Sequence, residues 1–327
     1  MTTATNPPQR LQIAVTRALP PQVIAQLQER HDVSINPEDR RLTPDELQRA
    51  AVGADAMIVT AFDRFDAEAI SKLPATLRIV ATYSVGYEHI DVEAARKRGL
   101  AVLFTPDVLS DAVAEMGILL MLGAARRVHE GDRLMYERRW AGWTPTQLIG
   151  LEVTGKRIGI VGMGRIGRTI ARRARGFDMT AHYHNRQRLE TALEEGSVFH
   201  ATIEGLMAES DVLVLAAPST PQTRGLLNAA RLAMMPRGAI VVNIARGDLI
   251  DDAALIEALK SDQIAAAGLD VFNNEPAIDE AYFDLPNVFL QPHQGSSTLT
   301  ARQKMAAILL AGMDAVLAGR AASNRLV

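Results

Sequence analysis

Three ionisable side chains with complementary chemistry follow apolar, strand-like runs in the second half of the chain: Arg246, Glu275 and His293. Ligands of open α/β sheets bind at the carboxyl ends of the strands, so these positions predict one site. A guanidinium can hold a substrate carboxylate and polarise a ketone, and an imidazolium can donate a proton as hydride reaches the carbonyl carbon. A glutamate beside the histidine would raise the histidine pKa and fix its ring. The set predicts reduction of a 2-oxo acid.

Each of these residues also has a structural interpretation when it is taken singly. A lone histidine is more often structural, Glu275 could be a turn acid before Pro276, and Arg246 could be a charge at a helix end. The functional interpretation rests on all three standing at predicted strand ends. The other histidines lack such context and are interpreted as structural: His31, His89, His129, His182, His184 and His200.

A glycine-rich turn, GMGRIG, lies upstream of the three residues, between a strand-like run and a predicted helix. In such a turn the first glycine permits the tight bend, the second lets a phosphate approach the backbone, and the third lets helix and strand pack closely. The free amides and positive dipole end of the helix then bind the pyrophosphate of a dinucleotide. The predicted cofactor contacts in this turn are Gly162, Gly164, Arg165, Ile166 and Gly167.

The residue that selects between the two nicotinamide dinucleotides is expected about 20 residues further on, where an acid would bind the ribose hydroxyls. Asn185 stands there instead, with Arg186 beside it and Arg188 close by. Because an arginine can pair with the 2′-phosphate, this segment predicts a preference for NADP(H), with NAD(H) as the alternative. Arg186 is the main candidate and Arg188 an assistant, although both could simply be solvated loop charges.

The composition narrows the class of protein. The chain has 327 residues, of which 48% are hydrophobic and 22% charged, which suits a globular protein of two domains. A net charge of −3 gives no electrostatic reason to expect nucleic acid or an anionic membrane as a partner. The absence of cysteine excludes disulfides and thiolate metal sites, and no metal site is expected. The polar start of the chain does not resemble a secretory signal, so a cytoplasmic location is expected.

Two βα series are predicted along the chain, which favours parallel sheets with helices on both faces. Thr43 begins a capping box, Asp66 and Asp91 are further helix caps, and Gly99 ends the helix after Asp91. A long helix is expected over 111–127, and a last helix, over about 298–318, is expected to return to the first domain. The predicted strands are 11–15, 33–35, 56–60, 77–82, 101–104, 157–161, 179–183, 211–215, 239–244, 264–270 and 288–290.

The motifs just described, taken together, resemble the D-isomer-specific 2-hydroxyacid dehydrogenases over nearly the whole chain. The resemblance is carried by GMGRIG at 162–167, VVNIARGDLID at 241–251, GLDVFNNEP at 268–276 and QPH at 291–293. It implies an α/β fold of two Rossmann-like or flavodoxin-like, doubly wound parallel-sheet domains with the active-site cleft between them. The implied substrate-binding domain comprises 1–105 plus 294–327, and the implied NAD(P)-binding Rossmann domain comprises 106–293.

The resemblance also implies roles for individual residues. Arg246, Glu275 and His293 match the catalytic set of the family. The backbone amides of Val85 and Gly86 match a loop that binds the substrate carboxylate, although an ordinary strand-to-helix turn fits the same segment. Asp270 matches the acid that binds the nicotinamide carboxamide. The resemblance further implies a homodimer.

Within the family the chain resembles the glyoxylate/hydroxypyruvate reductase branch, through the segment 105–111, the pair Trp140 and Trp143, and the arginine after the cofactor-selecting strand. The two tryptophans would line the cleft, contribute to a dimer interface, or simply pack in the core. The predicted function is NADPH-dependent reduction of glyoxylate and hydroxypyruvate. The alternatives are a reductase of a larger acid such as 2-ketogluconate, a non-catalytic NAD(P)-sensing regulator, and a different dinucleotide-turn protein such as a methyltransferase.

Overall fold

The computed structural model describes residues 10–327, which divide into two compact units. One unit contains the described residues up to Leu109 together with Ser297–Val327, and the other is Ser110–Ser296. The strands are β1 Gln12–Val15, β2 Asp32–Ile35, β3 Ala56–Val59, β4 Ile79–Thr82, β5 Ala101–Leu103, β6 Arg157–Val161, β7 Thr180–His184, β8 Val198–Phe199, β9 Val212–Leu215, β10 Ala239–Asn243, β11 Ile264–Leu269 and β12 Val288–Leu290. The α-helices are α1 Pro21–Gln28, α2 Pro44–Ala50, α3 Ala67–Lys72, α4 Val92–Arg98, α5 Ser110–Ala125, α6 Val128–Tyr136, α7 Arg165–Ala174, α8 Thr191–Glu194, α9 Ile203–Ala208, α10 Ala229–Leu232, α11 Asp252–Lys260 and α12 Leu299–Leu317.

The first unit contains a five-stranded sheet in the order β2-β1-β3-β4-β5, with every pair parallel. This is the flavodoxin-like order, in which the chain winds outward in both directions from β1 and β3. β3 and β4 are buried along their whole length, because a parallel strand is covered by helices on both faces of its sheet. The last helix, α12, packs on α1 and β5, so the end of the chain completes this unit.

The second unit contains a seven-stranded parallel sheet in the order β12-β11-β10-β9-β6-β7-β8. Counted from β6, this is the Rossmann order extended by one strand, and the order reverses between β6 and β9. β9 and β10 are fully buried, and the apolar helix α5 packs across β10, β11 and β12. The predicted pair of doubly wound parallel-sheet domains is therefore confirmed.

Helix boundaries follow the predicted caps in the first unit. Thr43 and Glu46 form the reciprocal capping box, and the carboxylates of Asp66 and Asp91 each accept a backbone N–H of the first turn. Gly99 ends α4 in the left-handed conformation, at φ +75°. A side chain would be strained there, which is why glycine is favoured.

Two predictions of secondary structure need correction. The helix expected over 111–127 ends at Ala125, and a second helix, α6, begins at Val128. Arg127, between them, adopts a positive φ of +53°, which a helical residue cannot have. β8 was not predicted, because a two-residue strand has no detectable periodicity. No helix in residues 10–327 is both long enough and apolar enough to cross a membrane.

Candidate active site

The glycine-rich turn after β6 has the geometry that its sequence predicts. Gly162 has a φ of +96°, and a Cβ there would lie 2.7 Å from the backbone nitrogen of Ala217, so no other residue fits. A Cβ on Gly167 would overlap the carbonyl oxygen of Gly162, which explains the close helix–strand packing. Gly164, in contrast, faces open space. The turn therefore leaves room for a ligand at the second glycine alone.

Free amides line this open space at the start of α7. The N-terminus of α7 has no side-chain cap, and the backbone N–H groups of Gly164 and Ile166 donate to no other group in the described part of the chain. Unsatisfied amides and the positive end of the helix dipole favour an anion here. The turn thus fits the pyrophosphate of a dinucleotide.

The three residues after β7 that are predicted to select the cofactor have different environments in the structure. Asn185 Oδ1 accepts the backbone N–H of Met163 at 2.7 Å, which ties the segment to the glycine turn. Arg186 is exposed, and within residues 10–327 it forms no hydrogen bond or ion pair. Arg188 instead forms a two-pronged pair with the buried Glu194, at 2.8 and 3.0 Å. Of the two arginines, Arg186 is the one without a partner among residues 10–327.

Arg188 has a structural environment of its own. Its guanidinium lies 5.8 Å from the ring centroid of Phe199, and its partner Glu194 also accepts the Tyr183 hydroxyl at 2.6 Å. The hydrogen bonds from Arg188 and Tyr183 lower the pKa of Glu194 to about 2. Arg188 therefore neutralises a buried carboxylate, and its predicted part in cofactor binding stays a prediction.

Arg246 stands three residues beyond β10, in a turn that is held by a buried asparagine. The fully buried side chain of Asn243 donates from Nδ2 to the carbonyl of Arg246 at 2.8 Å and accepts the N–H of Ala245 at 3.0 Å. Gly247 is required next, because a Cβ there would overlap the backbone of Phe272. This close approach brings the end of β10 against the segment that follows β11.

Glu275 and His293 lie in contact, as the sequence predicts. His293 Nδ1 is 2.8 Å from Glu275 Oε2, and the other carboxylate oxygen accepts the N–H of Phe272 at 2.8 Å. Burial raises the pKa of Glu275, but the hydrogen bond and charge of His293, the Phe272 amide and the charge of Arg246 together hold it below its ordinary value. Because an ionised carboxylate can only accept, Nδ1 carries the hydrogen of this bond. Nε2 is then the ring atom that can exchange a proton with a substrate.

The loop that carries His293 is fixed by a buried carboxylate. Asp270, which is 1% exposed, follows β11 and accepts the backbone N–H groups of Gln294 at 2.6 Å and Gly295 at 2.7 Å. Burial raises the pKa of Asp270, and the two amides oppose this. His293 itself has a φ of +55°, a conformation that costs roughly 1–2 kcal/mol in a non-glycine residue. The bonds from Asp270 hold the residues that follow this strained position.

Asp270 thus has a structural role, in holding the loop after His293, that the sequence did not reveal. Its predicted contact with the nicotinamide carboxamide stays a prediction. Asn243 was missed altogether. Its only signal was an amide at the end of an otherwise apolar buried strand, where an uncompensated polar group would be unfavourable.

The predicted substrate loop lies in the first unit, after β4. The backbone N–H groups of Val85 and Gly86 donate to no other group in the residues that the structure describes. Two available amides in one loop can bind a carboxylate. Trp140 and Trp143, in the second unit, are both exposed, which excludes the core-packing interpretation.

Comparison with known proteins agrees with this geometry. Residues 118–295 match the family model described as D-isomer specific 2-hydroxyacid dehydrogenase, NAD binding domain. The chain is 41% identical over 296 residues to glycerate dehydrogenase of Hyphomicrobium methylovorum, covering 90% of this chain and 92% of the relative. It is 44% identical over 304 residues to glyoxylate reductase of Thermococcus kodakarensis, covering 92% and 91%.

Among solved structures, the chain resembles the NADPH-dependent glyoxylate/hydroxypyruvate reductase of Sinorhizobium meliloti, in complex with NADP and malonate. The TM-score is 0.86 at 31% identity, covering 98% of this chain and 97% of that chain. The likeness extends over both sheets, since it covers 98% of this chain. The chain therefore belongs to the D-isomer specific 2-hydroxyacid dehydrogenase family and is an NAD(P)-dependent oxidoreductase.

Proposed function

We propose that this protein is an NADPH-dependent reductase of small 2-oxo acids, which converts glyoxylate to glycolate and hydroxypyruvate to D-glycerate. The observation that carries the proposal is the 2.8 Å contact between His293 Nδ1 and Glu275 Oε2. The names of the two sequence relatives, a glyoxylate reductase and a glycerate dehydrogenase, support the choice of substrate.

His293 is the proposed general acid. Glu275 fixes the hydrogen on Nδ1, so Nε2 is the ring nitrogen from which the proton is transferred. As hydride adds to the carbonyl carbon, the electron pair of the C=O bond moves to oxygen, and that oxygen takes the proton from Nε2. The imidazole then regains a proton from water, and the substrate has become a 2-hydroxy acid.

Arg246 is proposed to bind the substrate carboxylate and to polarise the ketone through its guanidinium. The bond from Asn243 fixes the backbone of Arg246, and the charge of Arg246 acts on Glu275. Val85 and Gly86, in the first unit, are proposed to donate to the carboxylate through backbone N–H groups that have no acceptor among the described residues. On this basis 1–105 plus 294–327 form the substrate domain and 106–293 the cofactor domain.

Bound NADPH would supply the hydride from its nicotinamide ring. The amides at the start of α7 and the open space at Gly164 support pyrophosphate binding, with Arg165 and Ile166 in the first helical turn. Arg186, which is exposed and has no partner in the described part of the chain, is proposed to pair with the 2′-phosphate, which favours NADP(H) over NAD(H). Asp270 is proposed to accept the nicotinamide carboxamide.

A homodimer is proposed on separate grounds. Large apolar side chains are exposed together along α6 and the irregular stretch that follows it. Single exposed apolar residues are ordinary, but a group of them in one segment is typical of an interaction surface. The group, which we call the α6 surface, comprises Met135, Tyr136, Trp140, Trp143 and Ile149.

The experiment that tests the function follows the oxidation of NADPH, and separately NADH, by the absorbance of the reduced nicotinamide. Glyoxylate, hydroxypyruvate, pyruvate and 2-ketogluconate are compared as substrates. Fastest turnover of NADPH with glyoxylate and hydroxypyruvate is the expected result. A preference for 2-ketogluconate would retain the mechanism and change the substrate. Tight NADPH binding without turnover of any acid would overturn the proposal and favour an NAD(P)-sensing regulator.

A further inference from the structure

A chain of side-chain hydrogen bonds runs beneath the predicted substrate loop in the first unit. His89 Nε2 is 3.0 Å from the hydroxyl of Thr82, which is 2.6 Å from the hydroxyl of Ser84. The Ser84 hydroxyl is in turn 2.6 Å from the carbonyl oxygen of Gly86. Thr82, at the end of β4, is fully buried. A histidine seven residues from the strand is thus connected to the loop through two hydroxyl groups.

The direction of every bond in this chain follows from the chemistry of its ends. The carbonyl of Gly86 can only accept, so Ser84 must give its one hydrogen to it. Ser84 can then only accept from Thr82, so the Thr82 hydroxyl gives its hydrogen to Ser84. Thr82 in turn can only accept from His89. Nε2 of His89 must therefore carry a hydrogen, and the neutral tautomer protonated on Nδ1 alone is excluded.

The consequence for the loop follows from the planarity of the peptide bond. The carbonyl of Ser84 accepts the N–H of Thr105 at 3.0 Å, which fixes the peptide plane that carries the N–H of Val85. The hydroxyl of Ser84 fixes the plane of the Gly86 carbonyl. The peptide that carries the N–H of Gly86 lies between these two fixed planes. Both unpaired amides of the loop are thereby held in one orientation.

The position of His89 does not depend on its hydrogen bond to Thr82 alone. Its carbonyl accepts the N–H of Phe65 at 2.9 Å, and Asp91 N–H donates to the carbonyl of Phe65 at 2.8 Å. The backbone of the histidine is therefore anchored to a neighbouring segment. A replacement at position 89 would change the side-chain donor while the backbone anchor remains.

We propose that His89 is a positioning residue for the substrate carboxylate. Its Nε2–H, acting through Thr82 and Ser84, sets the Val85 and Gly86 amides in the orientation that binds the carboxylate. The inference rests on the proposed function, since it takes those amides to be the carboxylate donors. It assigns a role to a histidine whose sequence context indicates only a structural one.

The test compares His89→Gln, whose Nε2 amide keeps a donor, with His89→Phe, which removes it at similar size. His89→Phe is expected to raise the KM for glyoxylate about tenfold or more, with a smaller change in kcat and an unchanged Kd for NADPH. His89→Gln is expected to restore a KM near that of the wild type. Thr82→Val breaks the chain at its middle without a change of shape and should behave like His89→Phe.

Ser34→Ala is the control, because it removes a hydroxyl of the same unit, on β2, that donates to the carbonyl of Ile13 and lies outside the substrate loop. Its KM should stay unchanged, and melting curves identify any variant that fails to fold. Equal KM values for His89→Gln and His89→Phe, or a KM unaffected by Thr82→Val, would overturn the inference while the proposed function stands. A wild-type protein that reduces no 2-oxo acid would overturn both.

A second measurement does not depend on activity or on a variant that folds poorly. The nitrogen chemical shifts of the His89 ring in the wild-type chain report which ring nitrogen carries hydrogen, and the spectrum of His89→Gln assigns the signals. A protonated Nε2 is expected at neutral pH. The neutral tautomer with hydrogen on Nδ1 alone would contradict the hydrogen-bond chain and overturn the inference.

Discussion

The side-chain amide of Asn243 holds the backbone of Arg246: Nδ2 donates to the Arg246 carbonyl at 2.8 Å from a fully buried position. The cation proposed to bind the substrate therefore depends on a residue that is itself out of reach of any ligand.

Replacement of this asparagine should impair both turnover and stability. Asn243→Asp keeps the side-chain oxygen that accepts the N–H of Ala245. It replaces the Nδ2 donor with a second oxygen, which cannot donate to the carbonyl of Arg246. A buried polar group left without a partner costs about 1–3 kcal/mol. We expect a lower free energy of unfolding in urea and a lower kcat/KM. Asn228→Ala, which removes the N-cap of α10, is the control: it should lose about 1 kcal/mol and leave kcat/KM unchanged.

His293→Ala should abolish most of the turnover and leave NADPH binding nearly intact. Loss of a general acid lowers the rate by about 10²–10⁴-fold. The kcat for glyoxylate and the Kd for NADPH, from fluorescence titration, are the two measurements. Arg246→Ala should lower kcat and also raise KM, because that residue is proposed to contact the substrate. An unchanged kcat in His293→Ala would remove this residue from the mechanism.

The Glu275 carboxylate should stabilise the protein in a pH-dependent way. The pKa of Glu275 is lowered in the folded protein, so its ionised form stabilises the fold above the ordinary pKa of a glutamate. That stabilisation is lost as the pH falls through the lowered folded-state pKa. Urea unfolding of Glu275→Gln and wild type should differ by about 1–3 kcal/mol near neutral pH and converge in acid. A difference that grows in acid would contradict the assignment.

The two arginines after β7 should give opposite results when each is replaced. Arg186→Ala should weaken NADPH binding by roughly ten- to hundredfold and change NADH binding little, because a charge-assisted bond to the 2′-phosphate is lost. Arg188→Ala should instead lower Tm, because Glu194 loses its cation. Titration with both dinucleotides and melting curves separate the two roles. An equal effect of Arg186→Ala on NADPH and NADH would rule out the phosphate contact.

The α6 surface should mediate self-association. Tyr136 is 87% exposed in the single chain, and a dimer would cover it. Tyr136→Glu places a charge in the proposed interface. In sedimentation velocity experiments, the sedimentation coefficient should shift from that of a dimer to that of a monomer. Val52→Glu, at an exposed apolar position of the first unit, is the matched control. A wild-type protein that sediments as a monomer at all concentrations would disprove the dimer.

The fold was largely predictable from local patterns, and the site only in part. Buried parallel strands such as β9 and β10 are continuous apolar runs, and the glycine turn has a fixed spacing, so both are visible in the sequence. The pairing of Glu275 with His293 was inferred because both follow strands that end at one edge of a sheet.

The unpredicted contacts depend on which side chains the folded chain brings together. Asn243 ends an otherwise apolar strand, which gives no indication of the bond to Arg246. The sequence does not distinguish Arg188 from Arg186, because the contact between Arg188 and Glu194 exists only in the folded chain. His89 lies seven residues beyond Thr82 along an irregular segment, to which neither helix nor strand periodicity applies.

The residues proposed for proton transfer and the loop amides proposed to bind the carboxylate beside Arg246 belong to different units. Glu275, His293 and Asp270 all lie in Ser110–Ser296, whereas Val85 and Gly86 lie in the other unit. On the proposed roles, the share of substrate binding that the loop supplies can change separately from the acid chemistry. A lineage could acquire new substrates through changes in the loop after β4 while it inherits its proton donor unaltered, and protein engineers could follow the same route.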